Sequence, residues 1–412
     1  MPSSRYSFMP NRLPHRTRLW MRLFALMLMA NVAGITGCAR SVVTKPAEAF
    51  RETTAPSLSD DLDLHGLQLA IEAEIPILRK TPTTMMHFGP VSVTRGEYAQ
   101  ALEELVAVLK SSRSRAEQLD YIAEHFRFFE FYGGARWGEV LLTSYFEPKV
   151  QGSNAPTSRF SQPLYATPHD LITIPLSAFS ERFKEEKALK ARIEQSKAVP
   201  YYTREDIDGK LALRGRNLEL VWIDPIDAFF LQIQGSGTVE LPDGSEAFIT
   251  YADKNGHRYE AIGKYLRERI APNKVTMQRV EAQLRSMQKP ERDSYLFKNP
   301  SYVFFKRSPE RAITSIGASA TPGRTIAVDP RVAPKGALAF LTFPKPVFKD
   351  DHAEGEDPID HQTVSRFVLD QDSGGAITGT NRVDLFWGRG DDAKRYAGVI
   401  QDPARVLYLA PK

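Results

Sequence analysis

Cysteine is almost missing from this chain: Cys38 is the single one in 412 residues, so no disulfide can form within it. An excess of charge of one sign is missing too. Lys and Arg number 54 against 50 Asp and Glu, a formal +4. Five of the cations, Arg5, Arg12, Arg16, Arg18 and Arg22, lie in an N-terminal stretch that holds no acid, and without that stretch the balance is about −1. Bulk attraction to nucleic acid is thereby excluded. Nor is there a hydrophobic run that could span a bilayer. The longest candidate, Leu23 to Ile35, falls within the roughly 7–15 residues of a secretory h-region and short of the about 20 a membrane helix needs.

What the N-terminus does contain is a basic stretch, that apolar run, and then Ile35-Thr36-Gly37-Cys38. This resembles a bacterial lipoprotein signal over residues 1–37. The resemblance implies that Cys38 is lipidated and becomes the first mature residue, anchoring the protein to a membrane. Ala39 in place of Asp after Cys38 implies an outer-membrane lipoprotein facing the periplasm. Residues 38–60 are rich in Thr, Ser, Pro and Ala without periodicity, and are expected to be a flexible tether. The rest, in a chain with 42% hydrophobic residues, is enough for two cores of ordinary size.

From Leu62 to Phe131 the apolar residues recur with helical spacing: Tyr98, Leu102, Leu105, Val106 and Leu109 form one stripe, and Leu119, Ile122, Phe126 and Phe129 another. After Gly133-Gly134 the pattern changes to short β-like runs punctuated by Pro and Gly, LLTSYFEP, FSQPLYATP, LELVWIDP, AFFLQIQGSG and AFITYA, spacing that suggests a barrel. Two stretches, Ser180 to Lys197 and Asn273 to Met287, are expected to be solvated surface helices. Phe343 to His361 is acidic and carries His352 and His361, but without metal-ligand spacing of a known type it is expected to be a solvated loop. The β pattern resumes with NPSYVFFK, TIAVDP, GALAFLTF, SRFVLD, VDLFWG and RVLYLAP. On this reading residues 61–148 and 299–412 form one domain, and 149–298 a self-contained β domain inserted into it, with a cleft between the two.

The densest chemistry is DQDSGGAITGTNRVDLFWG, Asp370 to Gly388. Alternation through Phe367 to Asp372 predicts a strand that Gly374-Gly375 ends. Asp384 returns on a second strand, and TIAVDP offers Asp329 in a similar setting. Carboxylates gathered at strand ends cannot all ionise cheaply, so one can keep a proton near neutral pH and act as a general acid. Each could equally cap the backbone N–H groups of its turn. In the inserted segment, Gln232 and Gln234 are expected to share one strand face. There they would offer amide donors and acceptors to sugar hydroxyls, beside Gly235-Ser236-Gly237. Tyr251 to His257, with Asn255 and Gly256, is a second polar segment, although such residues also serve turns and solvated edges.

TSYFEP (143–148), PLYATPHDL (163–171), FFLQIQGSG (229–237), YADKNGHRYEAIGK (251–264), NPSYVFFK (299–306), GASATPGRTIAVDP (317–330) and DQDSGGAITG (370–379), in that order, resemble the lytic murein transglycosylases of the membrane-bound A type. The resemblance implies a mainly β protein with N-terminal helices: a double-psi β-barrel domain interrupted by a second β-barrel domain, with a glycan strand in the cleft. It matches Asp329, Asp372 and Asp384 to the aspartates for which the family's C-terminal module is named. It implies glycan contacts from Tyr145, Gln232, Gln234, Ser236, Tyr251, Asn255, Gly256, His257, Gly374 and Gly375. It implies no metal or organic cofactor, a monomer, and possible cell-wall enzyme complexes. Two departures stand out: Ser144 where Gly is usual, and Asp370 where a small or apolar residue is usual. On a regular strand Asp370 would share a face with Asp372 and raise its pKa, or else turn outward.

The implied reaction cleaves the β-1,4 bond between N-acetylmuramic acid and N-acetylglucosamine in peptidoglycan and leaves a 1,6-anhydromuramoyl end, with Asp372 acting first as acid and then as base. Two alternatives use the same barrels: a silent glycan-binding lipoprotein, and a hydrolase with Asp329 or Asp384 as a second catalytic carboxyl.

Overall fold

In a computed structural model, residues 46–134, 136–183, 188–271, 275–309, 313–349, 357–375 and 377–412 are described. The leader, Cys38 and His352 lie outside them. Among the described residues no helix is long and apolar enough to cross a membrane.

In chain order the first module contributes β1 (Phe50–Thr53), the short hairpin β2 (Met85–Phe88) and β3 (Val91–Thr94), β4 (Phe126–Phe131) and β5 (Glu139–Glu147). The second contributes β6 (Lys149–Ser153), β7 (Gln162–Tyr165), β8 (Ile172–Ile174), β9 (Leu189–Glu194), β10 (Lys197–Pro200), β11 (Glu219–Ile223), β12 (Ser236–Glu240), β13 (Glu246–Lys254) and β14 (Val303–Ser308). The chain then returns to the first with β15 (Thr325–Ala327), β16 (Leu338–Val347), β17 (Asp360–Asp372), β18 (Arg382–Arg389) and β19 (Gln401–Pro411).

Strands β19-β16-β17-β15-β18-β5 lie side by side, and β5 pairs back to β19, so six strands close into a barrel. β4 and β1 extend the sheet from β19. Two pairings, β15–β17 and β18–β5, are parallel in an otherwise antiparallel ladder. Leu338 to Leu341 is buried without alternation, because both faces of β16 are covered. Helices Leu64–Arg79 and Arg95–Lys110 pack against β17 and β19. The second of these begins with a Thr94–Glu97 capping box and buries Tyr98, Leu102, Leu105, Val106 and Leu109, the stripe read from the sequence. Each such side chain contributes about 1.5–3 kcal/mol of transfer free energy.

The second sheet runs β14-β13-β12-β6-β11-β7, and a bridge between Ala166, just past β7, and Phe305 of β14 draws its edges together. The two barrels are tied by buried Glu147. It accepts from Thr238 Oγ1 at 2.8 Å and pairs with Arg389 at 2.6 Å.

Several local expectations are corrected. Phe229 to Gln234 is the end of a helix, Pro225–Gln234, and not a strand. Asp224 caps its N-terminus and accepts from the N–H groups of Ile226 and Asp227, and Gly235 at φ 84° closes its C-terminus. Within Ser180 to Lys197, β9 forms a hairpin with β10 through a turn at Gln195, φ 55°. Helix Met277–Ser286 is not merely solvated, since it buries Gln278, Val280 and Leu284. Phe343 to Val347 pairs with Asp360 to Val364, so this part of the acidic stretch is a β arm, with His361 opposite Pro346. NPSYVFFK supplies β14 to the second sheet and not to the C-terminal module. Leu62 to Phe131 is broken by β2, β3 and β4. The tether reading fails from Phe50 onward: β1 pairs with β4, and the Asp60 carboxylate is buried against Arg324 at 2.6 and 3.0 Å.

Candidate active site

Asp372 ends β17, and the ladder brings Asp384 into its row, while Asp329 lies two residues beyond the end of β15. Ala327 of β15 pairs with Asp372 on one side and Asp384 on the other, and Asp384 pairs with Thr143 of β5. The four strands β17, β15, β18 and β5 thus present Asp372, Ala327, Asp384 and Thr143 as one transverse row. The register slips by one residue between Ile326, opposite Asp370, and Ala327, opposite Asp372. This bulge breaks the regular alternation that the sequence predicts for Asp370 and Asp372.

The Asp372 carboxylate is half-buried and held by neutral donors. Tyr145 donates its hydroxyl to Oδ2 at 2.8 Å, and Oδ1 accepts the backbone N–H groups of Ser315 at 2.9 Å and Ser373 at 2.8 Å. Burial, and then the negative charge of Asp372, push the Tyr145 phenol well above its ordinary range, so it remains a donor. This phenol, expected to bind glycan, donates its hydroxyl to the carboxylate in a hydrogen bond.

Asp329 and Asp384 are clamped by guanidinium groups. Arg331 forks onto Asp329 at 3.0 and 2.5 Å, and the Gly379 N–H reaches Asp329 Oδ2 at 2.7 Å. Burial opposes ionisation of Asp329, but Arg331 and the two backbone N–H groups outweigh it and hold the carboxyl below its usual range. Arg382 forks onto Asp384 at 2.7 and 2.7 Å, and Thr143 Oγ1 donates to the same carboxylate.

Asp370 turns neither outward nor toward the Asp372 carboxylate. It is fully buried, with Lys335 Nζ at 2.5 Å and the Tyr408 hydroxyl at 2.8 Å. Burial pushes its carboxyl up, against the pull of Lys335. Ser144, the other departure, has a buried Oγ without a hydrogen-bond partner among the described residues.

Among the expected glycan-contact residues, Gln232 is buried and accepts from Arg204 at 2.6 Å. Gln234 accepts the Phe146 N–H at 3.2 Å and so joins the helix end to β5. Asn255 is buried, donates to the carbonyls of Tyr202 and Pro300 and accepts from the Tyr302 N–H. His257 bonds the Tyr201 carbonyl at 2.7 Å, with exposed Gly256 at φ 83° beside it. The amides expected on a strand face lie on a helix, where Gln232 braces the second barrel and Gln234 ties it to β5 of the first. Tyr251 is exposed, Ser236 and Gly374 are half-buried and Gly375 is exposed. Gly375 faces the end of β13, where a Cβ on it would meet Lys254 Nζ at 3.3 Å, whereas a Cβ on Gly374 would meet Ile377.

Sequence reasoning passed over Tyr408, Lys335, Arg331 and Arg382 in this neighbourhood. Arg382 lies two residues before Asp384 on one strand, so its placement on the same face was available from period-2 alternation. The partnership of Lys335 with Asp370 carries no local signal, since only the barrel brings them together.

The family profile described as MltA specific insert domain matches residues 141–306, and that described as 3D domain matches 324–410. The membrane-bound lytic murein transglycosylase A of Vibrio cholerae is 30% identical over 282 residues, 67% of each chain, and that of Escherichia coli K12 is 28% identical over 283. Among solved structures, the membrane-bound lytic murein transglycosylase from Agrobacterium tumefaciens superposes with TM-score 0.72 at 27% identity, covering 88% of this chain and 98% of that one. MltA from Neisseria gonorrhoeae gives TM-score 0.68 at 27% identity, covering 92% and 97%. The chain belongs to the membrane-bound lytic murein transglycosylase A family and is a peptidoglycan lytic transglycosylase of the cell envelope.

Proposed function

We propose that Asp372 alone carries both proton transfers of a non-hydrolytic cleavage of the N-acetylmuramic acid to N-acetylglucosamine bond. The supporting observation is the difference between the three carboxylates: Asp329 and Asp384 are each forked by an arginine, whereas the Asp372 side chain receives a phenol and two backbone N–H groups. A carboxylate locked to a guanidinium is a poor base, so neither neighbour suits the water-activating or nucleophilic role that a glycoside hydrolase requires.

With Oδ1 taking two N–H donors, Oδ2 is the oxygen left to hold the exchangeable proton beside Tyr145. The protonated carboxyl gives that proton to the glycosidic oxygen as the C1–O4 bond breaks. The carboxylate then takes the proton of the muramoyl C6 hydroxyl as that oxygen bonds C1, which closes the 1,6-anhydro ring and regenerates the acid. Asp329 and Asp384 hold the strand ends and the Gly379 turn in place.

Glycan contact is proposed for Ser236, Tyr251, Gly374 and Gly375, with Gln232, Gln234, Asn255, Gly256 and His257 bracing the wall behind them. Escherichia coli MltA, at 22% identity and TM-score 0.65, binds chitohexaose, a β-1,4-linked amino-sugar chain of the kind this cleft would take. An outer-membrane lipid anchor on Cys38, facing the periplasm, completes the reading.

Mass spectrometry of muropeptides released from purified peptidoglycan tests the reaction. Products one water lighter than the hydrolysed muropeptides are expected. Reducing-end products in their place would make the enzyme a hydrolase.

A further inference from the structure

We propose that Glu147 is a positioning residue for glycan binding: it braces the joint between the barrels and so sets where the Ser236 wall of the second barrel stands against the first. This rests on the reading that the glycan lies between the barrels against Ser236, and not on which carboxyl transfers the proton. The chain passes between the barrels twice, and the two crossings differ. A single residue, Pro148, separates β5 from β6, whereas residues 309–324 separate β14 from β15. The short crossing is where the angle between the barrels can be fixed.

Each residue from Phe146 to Pro148 is tied to the segment Gln234 to Thr238. Gln234 Oε1 accepts the Phe146 N–H at 3.2 Å, Glu147 Oε1 accepts from Thr238 Oγ1 at 2.8 Å, and the Pro148 carbonyl accepts the Thr238 N–H at 2.8 Å. A Cβ on Gly237 would meet the Pro148 carbonyl at 3.1 Å, so the segment that carries Ser236 lies directly on the crossing. Of these three residues, Glu147 also reaches back to the first barrel through its side chain, where Oε2 accepts from Arg389 Nε at 2.6 Å. Strand β18 is shaped for this contact. Its register against β5 slips between Phe386 and Arg389, and Gly388 at φ 127° and Gly390 at φ 72° flank the arginine that comes to lie opposite Glu147.

Glu147 and Thr238 are both buried. A buried carboxylate needs a partner of opposite charge, and Arg389 supplies it; the bond from Thr238 to that carboxylate is charge-assisted and strong for its type. A second tie, Gln278 Nε2 to the Lys394 carbonyl at 2.7 Å, holds the insert to helix Gly390–Ala397, which follows Arg389. Loss of the Thr238 bond alone therefore loosens the angle without parting the barrels or stranding a buried charge. A loosened joint spends part of its time at widths that do not bind glycan, and the apparent affinity falls with the competent fraction. Saturating glycan draws the population back, so the maximal rate is kept.

The test measures kcat and KM on purified peptidoglycan, with melting temperature, for three variants. Thr238→Val removes the hydroxyl at nearly constant shape. It should raise KM about tenfold, with kcat within about twofold and melting temperature near wild type. Thr238→Ser keeps the hydroxyl and should keep wild-type KM. Glu147→Gln puts an NH2 group where one of the two donors now points, and should show the same split between KM and kcat.

The joint itself is read with spin labels. Cys38 is the only cysteine, so Ser112→Cys and Arg214→Cys, both at exposed positions, give one label in each module of the Cys38→Ala protein. Double electron–electron resonance should give a narrow distance distribution with Thr238 in place, and a broader one with Thr238→Val that added chitohexaose narrows.

Glu147 is overturned as a positioning residue if Thr238→Val or Glu147→Gln, folded, keeps the narrow distribution, or if Thr238→Ser is as impaired as Thr238→Val. It is also overturned if kcat and melting temperature fall while KM stays at the wild-type value, because the bond is then only structural. A broadened distribution with wild-type KM and kcat overturns instead the reading that the glycan lies against the Ser236 wall, since the joint then moves without the glycan sensing it.

Discussion

Tyr145 donates its hydroxyl to Oδ2 of Asp372 at 2.8 Å, from the strand that also carries Thr143, the partner of Asp384. The phenol stays protonated there, because burial and the neighbouring carboxylate both oppose its ionisation. It fixes the rotamer of the Asp372 carboxyl.

Tyr145→Phe removes that hydrogen bond and little else, since the ring keeps its contact with Phe386 at 5.2 Å. A hydrogen bond to a charged group is worth about 1.5–3 kcal/mol, so kcat should fall about 10- to 100-fold with KM and melting temperature little changed. Steady-state kinetics on peptidoglycan checks this, and wild-type kcat would contradict it.

Glu74 gives a stability prediction away from the reacting centre. It is fully buried behind β17, where its Oε2 accepts from Gln371 at 2.9 Å. Burial, partly offset by Gln371, raises its pKa from 4.5 to about 7. Above pH 4.5 the unfolded chain releases this proton while the folded protein keeps it, so stability is lost as pH rises from 4.5 to about 7. Glu74→Gln removes the titration. Relative to wild type, the variant should gain on the order of 3 kcal/mol between pH 5 and pH 8, measured by denaturant melts. An unchanged difference between the two pH values would contradict the assignment.

The lipid anchor is a prediction from Ile35-Thr36-Gly37-Cys38. Cys38→Ala should leave the membrane fraction and remain active, because the folded body already includes β1 at Phe50 and the Asp60–Arg324 pair. Fractionation of envelopes decides it, and membrane retention of the variant would contradict it.

How far the sequence could be read depended on whether a signal was local. The stripe from Tyr98 to Leu109 and the strand ending at Asp372 follow from spacing within a few residues, and the structure has both. The helix at Pro225–Gln234 was missed because Phe229, Leu231 and Ile233 alternate as a strand would, although Asp224-Pro225 and Gly235 mark a helix start and stop. The β arm through His361 was missed because its residues are polar and its pairing partner is 15 positions away, His361 against Pro346. The three aspartates were legible as candidates, but what distinguishes them is not written next to each of them. Arg331 and Arg382 are two residues from their carboxylates, whereas Tyr145 meets Asp372 across 227 positions of chain, and Lys335 meets Asp370 across 35. Asp370 was misread for the same reason, since a carboxylate on a strand gives no sign of the ammonium that the barrel closes over it.

The central claim is the proposal that one carboxyl, Asp372, gives a proton to the glycosidic oxygen and then takes one from the C6 hydroxyl. Its most direct test is the turnover of Asp372→Asn on peptidoglycan, with glycan binding measured on the same protein. The substitution is nearly isosteric but cannot cycle between acid and base, so kcat should fall by at least about 10²–10⁴ while glycan affinity stays near wild type. An Asp372→Asn enzyme that still turned over at the wild-type rate would contradict the account.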